Sequence, residues 1–224
     1  NQAAQRIEDL VRSNRSLLAN ASHELRSPLA RLKMAVSMFD HADPAQHEEL
    51  RREIDRDIRE LDALVEEVLL ASRLDARAAI ADDPVDLLGL AAEECARVEA
   101  ELDVGSGVPL LRGDERLLRR ALRNLLENAR RYGGDEVALR LDHEGGRVRV
   151  QVEDRGPGVP ADLRERIFEP FYRLPGHAEQ AGGVGLGLSL VRQIARAHGG
   201  EVRCEAREGG GSRFLLALPV RAAA

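Results

Sequence analysis

The stretch Ala19–Leu32, "ANASHELRSPLARL", decides how the rest of the chain is read. Leu and Ala recur in it at helical spacing. Yet Pro28 sits inside, five residues after His23, and Glu24 follows that histidine at once. Working outward, apolar residues fall at Leu10, Leu17, Ala21, Leu25, Leu29, Leu32, Val36 and Phe39, which predicts one long amphipathic helix. "HADPAQ" interrupts the pattern, with Pro44 read as the stop signal. A second stripe runs through Leu50, Ile54, Ile58, Leu61, Val65, Val68 and Leu74. Two long helices and a short loop make an antiparallel hairpin with an apolar face that one copy cannot bury. Pairing two copies into a four-helix bundle solves that problem.

His23 lies two residues from both Ala21 and Leu25, and a helix turns by about 100° per residue. The imidazole therefore falls on the side away from the stripe. Two readings are open for it, an ordinary surface histidine or a nucleophile. Glu24 would accept the ring proton and leave the other nitrogen more nucleophilic. Pro28 has no N–H for the Glu24 carbonyl, so it either loosens the helix beside the histidine or only kinks it. A zinc-protease H-E-x-x-H site is excluded, because Ser27 stands where the second histidine belongs.

Composition narrows the classes further. The 224 residues suffice for two modest domains, and 43% hydrophobic with 32% charged residues indicates a folded chain. A net charge of -6, aromatics at 3% and no Trp argue against a nucleic-acid partner. Cys95 and Cys204 stand in no metal-ligand pattern and read as reduced thiols. No apolar run reaches the ~18 residues of a membrane span. The helical pattern is already under way at the first residues, so a piece of a longer protein is expected.

After "IADDP" the patterning changes, placing a boundary near Ala79–Pro84, with domains at 1–79 and 82–224. "VALRL" (Val137–Leu141) and "VRVQVED" (Val148–Asp154) alternate around "DHEGG". "EVRCEA" and "SRFLLALPV" do the same around "REGGG". Helices are predicted over Asp86–Leu102, Asp114–Arg131, Ala161–Arg173 and Leu188–His198, with Asp114 as an N-cap. Antiparallel hairpins interspersed with helices give an α/β sandwich, so the whole chain is multidomain, α followed by α+β. Asn124 and Asn128, four apart, share one helix face; they are either two solvated polar residues or a pair that approaches a metal ion. "EDRGPGVP" sets Asp154 at a strand end before Gly156 and Gly158. "GGVGLGLSLV" sets Gly182, Gly183, Gly185 and Gly187 before an apolar helix, where free backbone N–H groups can hold phosphate.

Taken in order, these motifs resemble the cytoplasmic catalytic core of bacterial two-component sensor histidine kinases. "SHELRSPL" is similar to the phosphoacceptor box, "NLLENARRY" to the N box and "DRGPGVP" to the first glycine box. "IFEPFYR" is similar to the F box and "GVGLGLSLV" to the second glycine box. The resemblance covers nearly the whole chain. It implies a dimerisation and phosphotransfer hairpin followed by an ATP-binding domain of the Bergerat (GHKL) type. His23 would accept the γ-phosphoryl group of ATP, with Glu24 as general base. Asn128 would hold Mg²⁺ with Asn124 assisting. Arg131 would lie near the phosphates, Tyr132 would flank the nucleotide, and Asp154 would accept from the adenine amino group.

The ATP site so implied also includes Gly156, Gly158, Phe171, Arg173, Gly183, Gly185, Leu186, Gly187 and Leu188, with a lid from about Ala161 to Gly182. ATP-hydrolysing relatives carry a glutamate where Asn124 stands, which favours transfer to histidine over hydrolysis. Ser27 replaces the threonine linked to dephosphorylating the partner regulator, and keeps a hydroxyl for that activity. Arg131 replaces the commoner lysine and keeps the charge with a different geometry.

The implied partners are a second copy of the chain and the receiver domain of a response regulator, whose aspartate takes the phosphoryl group. Met34 and Met38 would either dock that receiver or pack inside the bundle. The parent protein would sit in the inner membrane with this part in the cytoplasm. Two other functions compete: a non-catalytic ATP-sensing scaffold, and an ATPase clamp.

Overall fold

The structure is a computed structural model that describes residues 2–39, 43–75, 79–105, 107–174 and 184–220; the side chains of residues 2–17 and 44–45 lie outside the description. The chain divides into two compact units, Asn1–Ala76 and Arg77–Ala224.

The first unit is a helical hairpin of α1 (Gln2–Phe39) and α2 (Pro44–Asp75). Arg31 pairs with Asp57 and Glu60, and Phe39 stacks on His47 with ring centroids 4.5 Å apart, the pattern of antiparallel helices. Pro44 does not stop a helix, as its position in "HADPAQ" predicts; it starts α2. The Gln46 N–H donates to Asp43 Oδ1 (3.0 Å), and the Asp43 N–H donates to Gln46 Oε1 (3.3 Å). That is a reciprocal capping box with proline in the first helical position, where a missing N–H costs nothing.

The seam between the helices is narrow. Ala21, Pro28 and Ala35 are buried on α1, and Leu50, Asp57, Leu64 and Ala71 on α2, each set repeating every seven residues. Several larger aliphatic side chains lie outside it: Leu18, Leu29, Val36, Ile58, Val65 and Leu69 are between 42% and 54% exposed. Met34 and Met38 also lie outside the seam. Helix α1 runs through Pro28 without interruption. The proline thus serves as a buried seam residue as well as a missing donor.

The second unit builds on a five-stranded sheet in the order β2-β4-β5-β7-β6. Its strands are β2 (Glu101–Val104), β4 (Ala138–Glu144), β5 (Arg147–Glu153), β6 (Glu201–Ala206) and β7 (Ser212–Pro219). A small antiparallel pair, β1 (Asp83–Val85) with β3 (Leu111–Gly113), stands apart. The helices are α3 (Leu87–Val98), α4 (Glu115–Gly133) and α5 (Gly187–Ala197). Period-two alternation sets the register: Leu139 faces Val152, Leu141 faces Val150, and Val150 and Val152 face Leu216 and Phe214. All of these are buried, together with Leu122, Leu125, Leu126, Leu190 and Ile194 of the helices. Each such side chain contributes about 1.5–3 kcal/mol on burial. Where α3 and α4 meet, buried Glu94 accepts from Arg123 Nε (3.0 Å) and Nη2 (2.8 Å) and from Arg97 Nε (3.1 Å).

Three features depart from the sequence reading. Helix α3 ends at Val98 rather than Leu102, because Glu99 turns left-handed (φ 56°) and the Ala100 N–H closes on the Cys95 carbonyl. The chain then enters β2, which runs parallel to β4. Over Ala161–Arg173 there is no α-helix, only two 3-10 turns, Ala161–Leu163 and Arg166–Phe168. Glu169 is extended (ψ 140°), as a residue before proline must be. Cys95 and Cys204 are buried free thiols, and burial pushes them up to about 11 and about 12. No helix among the described residues is long and apolar enough to cross a membrane.

Candidate functional site

In the hairpin, His23 is exposed and Glu24 half-buried on consecutive positions of α1. No hydrogen bond joins them among the described residues. Ser27, one turn on, is exposed, and its hydroxyl accepts from Arg31 Nη1 at 3.2 Å. A column of polar groups therefore runs along α1 from His23 through Ser27 to Arg31, turning from the exposed side at His23 toward α2 at Arg31.

In the second unit, the strand end of β5 and the helix end of α4 build the other half of the expected chemistry. Asp154 is buried, and one carboxylate oxygen, Oδ1, accepts from the Gly156 N–H (2.9 Å) and the Ser212 N–H (3.1 Å). The other oxygen accepts nothing among the described residues, so it can take a donor from outside the chain. Two glycines let the end of α4 and the segment around Asp154 pack this closely. A Cβ on Gly133 would fall on the Asp154 side chain, and one on Gly156 would fall on the Tyr132 carbonyl. Gly133 and Ser212 are missed from sequence alone. The "YGG" after Tyr132 carried a signal, a glycine inside the last turn of a helix, but Ser212 read only as the start of a strand.

Helix α4 is capped by Asp114, whose Oδ1 accepts from the Arg116 and Leu117 N–H groups, as expected. It carries Asn124 and Asn128 on one face. Asn124 is buried and donates its Nδ2 to the Gly187 carbonyl at 3.1 Å, tying α4 to the start of α5. Asn128 is half-buried and makes no hydrogen bond among the described residues. Arg131 is exposed and Tyr132 half-buried at the end of the same helix.

The F box and the second glycine box meet through backbone. The Phe171 N–H donates to the Gly185 carbonyl at 2.9 Å, with both residues left-handed (φ 63° and 78°). Such a conformation costs a non-glycine residue about 1–2 kcal/mol, so the surroundings must hold Phe171 there. Arg173 and Leu188 are half-buried, Leu186 is buried, and Gly158 also has a positive φ of 76°. Helix α5 begins with no side-chain cap, which leaves its first N–H groups open. Gly183, Gly182 and His177 lie outside the described residues, as does the 175–182 part of the segment expected to form a lid. Among the described residues no cluster of three or more His, Cys, Asp or Glu side chains is placed to hold a metal ion.

The chain is a helical hairpin followed by an α/β sandwich, and comparison with known proteins assigns each unit to a family. Residues 13–77 match the His Kinase A (phospho-acceptor) domain family. Residues 113–222 match the histidine kinase-, DNA gyrase B- and HSP90-like ATPase family. RstB, a sensor protein of Escherichia coli strain K12, is 39% identical over 233 residues, covering 98% of this chain and 52% of RstB. The mycobacterial sensor histidine kinase MprB is 30% identical with a TM-score of 0.54, over 63% of this chain and 99% of that structure. Full-length ShkA, solved in complex with AMPPNP, is 31% identical with a TM-score of 0.66, over 94% of this chain and 47% of ShkA. The chain belongs to the sensor histidine kinases. It spans about half the length of RstB.

Proposed function

We propose that this chain is an ATP-dependent protein-histidine kinase of two-component signalling, which phosphorylates itself on His23. The group then passes to an aspartate on the receiver domain of a response regulator. The observation that carries the reading is the pairing, in one chain, of an exposed histidine with a buried carboxylate that keeps one oxygen unused. Asp154, fixed by two backbone donors, would read the adenine amino group through that oxygen. Gly133 and Gly156 let the end of α4 pack against Asp154 and the segment after it, which fixes that carboxylate, and Tyr132 would flank the nucleotide. The uncapped start of α5 and Arg131 would face the phosphates, and Gly158, Phe171, Arg173, Gly183, Gly185, Leu186, Gly187 and Leu188 would shape that end.

In the transfer step, an imidazole nitrogen of His23 forms the new N–P bond while the bond from the γ-phosphorus to the ADP oxygen breaks. The ring's remaining N–H proton goes to Glu24. Little else is asked of the protein than positioning and exclusion of water. Mg²⁺, when bound with the nucleotide, would neutralise phosphate charge. Asn128 suits it, with a carboxamide that has no other partner among the described residues, and Asn124 would add its free oxygen. At Asn124 an amide already committed to Gly187 cannot act as a base toward water, which favours transfer over hydrolysis. The exposed aliphatic stripe of the hairpin fits pairing with a second copy. Met34 and Met38 fit a receiver-docking surface, and Ser27 fits dephosphorylation of that receiver. The parent protein would be held at the inner membrane with this part in the cytoplasm.

Incubation with γ-labelled ATP and Mg²⁺ tests the reading. The expected result is a protein-bound label that is acid-labile and base-stable, present in the wild type and absent in His23→Gln. A chain that binds ATP without acquiring label would be a scaffold. Steady phosphate release with no labelled protein would make it an ATPase.

A further inference from the structure

Serine hydroxyls inside helices usually fold back onto a backbone carbonyl three or four residues earlier. Three serines here do so: Ser22 donates to the Leu18 carbonyl, Ser37 to Met34 and Ser189 to Leu186, each at 2.8 Å. Ser27 does not. Its oxygen is held from the other direction by Arg31 Nη1, and its hydrogen is left uncommitted among the described residues. A hydroxyl has one hydrogen to give and two lone pairs. An arginine occupying one lone pair therefore limits where that hydrogen can point.

Arg31 is itself held firmly. Its Nε and Nη2 reach Asp57 Oδ1 at 3.0 and 2.9 Å, and its Nη2 reaches Glu60 Oε2 at 2.6 Å. Asp57 is the one charged residue among the buried positions described in the hairpin, set in a heptad row with Leu50, Leu64 and Ala71. Burying a carboxylate in such a row is unfavourable unless a cation meets it, and an apolar residue would often serve stability as well. What the carboxylate adds is a fixed guanidinium on the neighbouring helix. With two carboxylates on one guanidinium the cluster carries no net positive charge. Its effect on Ser27 is orientation rather than attraction of an anion.

We propose that Arg31, anchored by Asp57 and Glu60, is a positioning residue that holds the Ser27 hydroxyl turned out of the helix for dephosphorylation of the receiver. The inference rests on the dephosphorylation reading of Ser27. It adds that α2 controls this hydroxyl through one arginine, so a shift of α2 against α1 would alter dephosphorylation through that contact.

The test is a double-mutant cycle on the full 224-residue chain. The probe is a receiver domain phosphorylated beforehand with acetyl phosphate. It is chosen as the purified receiver that takes a phosphoryl group fastest from the labelled chain. Arg31→Lys keeps one positive charge for Asp57 but cannot fork to two carboxylates and a hydroxyl. Arg31→Met removes the charge. Each is expected to lower the dephosphorylation kcat about tenfold with KM unchanged, as loss of a charge-assisted hydrogen bond would. In a Ser27→Ala background each should change the remaining rate by less than about twofold, because coupled sites are not additive. Arg31→Lys should keep the wild-type melting temperature, which separates positioning from hairpin stability. Equal losses in both backgrounds, or full activity in Arg31→Lys, would overturn the role of Arg31 while leaving that of Ser27 intact. Absence of dephosphorylation in the wild type, or a Ser27→Ala rate equal to it, would overturn both.

Discussion

The two units treat their apolar residues in opposite ways. In the hairpin, alanines, Pro28 and Asp57 share the seam with two leucines, while Leu29, Val36, Val65 and Leu69 stand half outside. In the sandwich, the inner sheet face and the helices over it leave almost nothing exposed. A helical pair that leaves several of its large aliphatic residues half outside is incomplete by itself; a sheet that buries Val150, Val152, Leu139 and Leu216 completely is finished. The proposed pairing with a second copy would therefore support the first unit's stability, whereas the second unit has its own core.

The largest effect should come from charging the displayed stripe. Val36→Glu combined with Val65→Glu is expected to abolish association in sedimentation and remove most of the hairpin's helical signal. The C-terminal melting transition should stay in place. An unchanged mass and helix content would show that the hairpin stands alone. On the other side of the comparison, Asp154→Ala should reduce ATP affinity by at least about a hundredfold, because the site is built to pair a donor with that carboxylate. It should also lower the C-terminal transition, since the Gly156 and Ser212 N–H groups lose their acceptor. Calorimetric titration and melting curves read both, and the hairpin should not respond.

Gly133→Ala is a smaller probe of the same region. The added methyl group meets the Asp154 side chain, and overpacking of this kind costs about 1–3 kcal/mol. The C-terminal transition should fall accordingly, with nucleotide affinity falling alongside. A neutral Gly133→Ala would mean that α4 and β5 can move apart freely.

The smallest effect is on pH. Hydrogen bonds from Arg123, ahead of those from Arg97, hold the Glu94 carboxyl below its ordinary 4.5 against the cost of burial. Burial pushes Glu153 up, but Arg207 and Arg213 together hold it below 4.5 as well. Both carboxyls bind their protons less tightly when folded. The stability they add is complete above 4.5 and is lost as the pH falls through the lower folded values. The C-terminal melting temperature should decline on acidification below pH 4.5, less steeply in Glu94→Gln.

Much of this organisation was legible in the residues. The period-two runs ending at Asp154 and around "REGGG" gave strands, and Asp114 announced α4 through a side chain built to cap it. What stayed hidden depended on contacts distant in sequence. Glu99 turns left-handed without a glycine to signal it, so β2 vanished into a helical pattern. Pro44 reads as a stop or a start depending on whether Asp43 and Gln46 bond to each other, and only geometry decides that. The second 3-10 turn before Phe171 holds Phe168, which packs edge-on to Phe214, 46 residues away in the chain. Of the site, His23, Asn128 and Asp154 were visible as motifs. Ser212 and Arg31 act by proximity and carried no pattern of their own, and the signal at Gly133 was only a glycine in the last turn of a helix.

Everything distinctive about this reading requires a nucleotide on one unit to modify a side chain on the other. Phosphorus NMR of the chain after incubation with ATP and Mg²⁺, followed by removal of nucleotide, asks this directly. A phosphoramidate resonance should appear in the wild type and vanish in both His23→Gln and Asp154→Ala. A resonance that survives His23→Gln, or a wild type that consumes ATP and shows only inorganic phosphate, would contradict it.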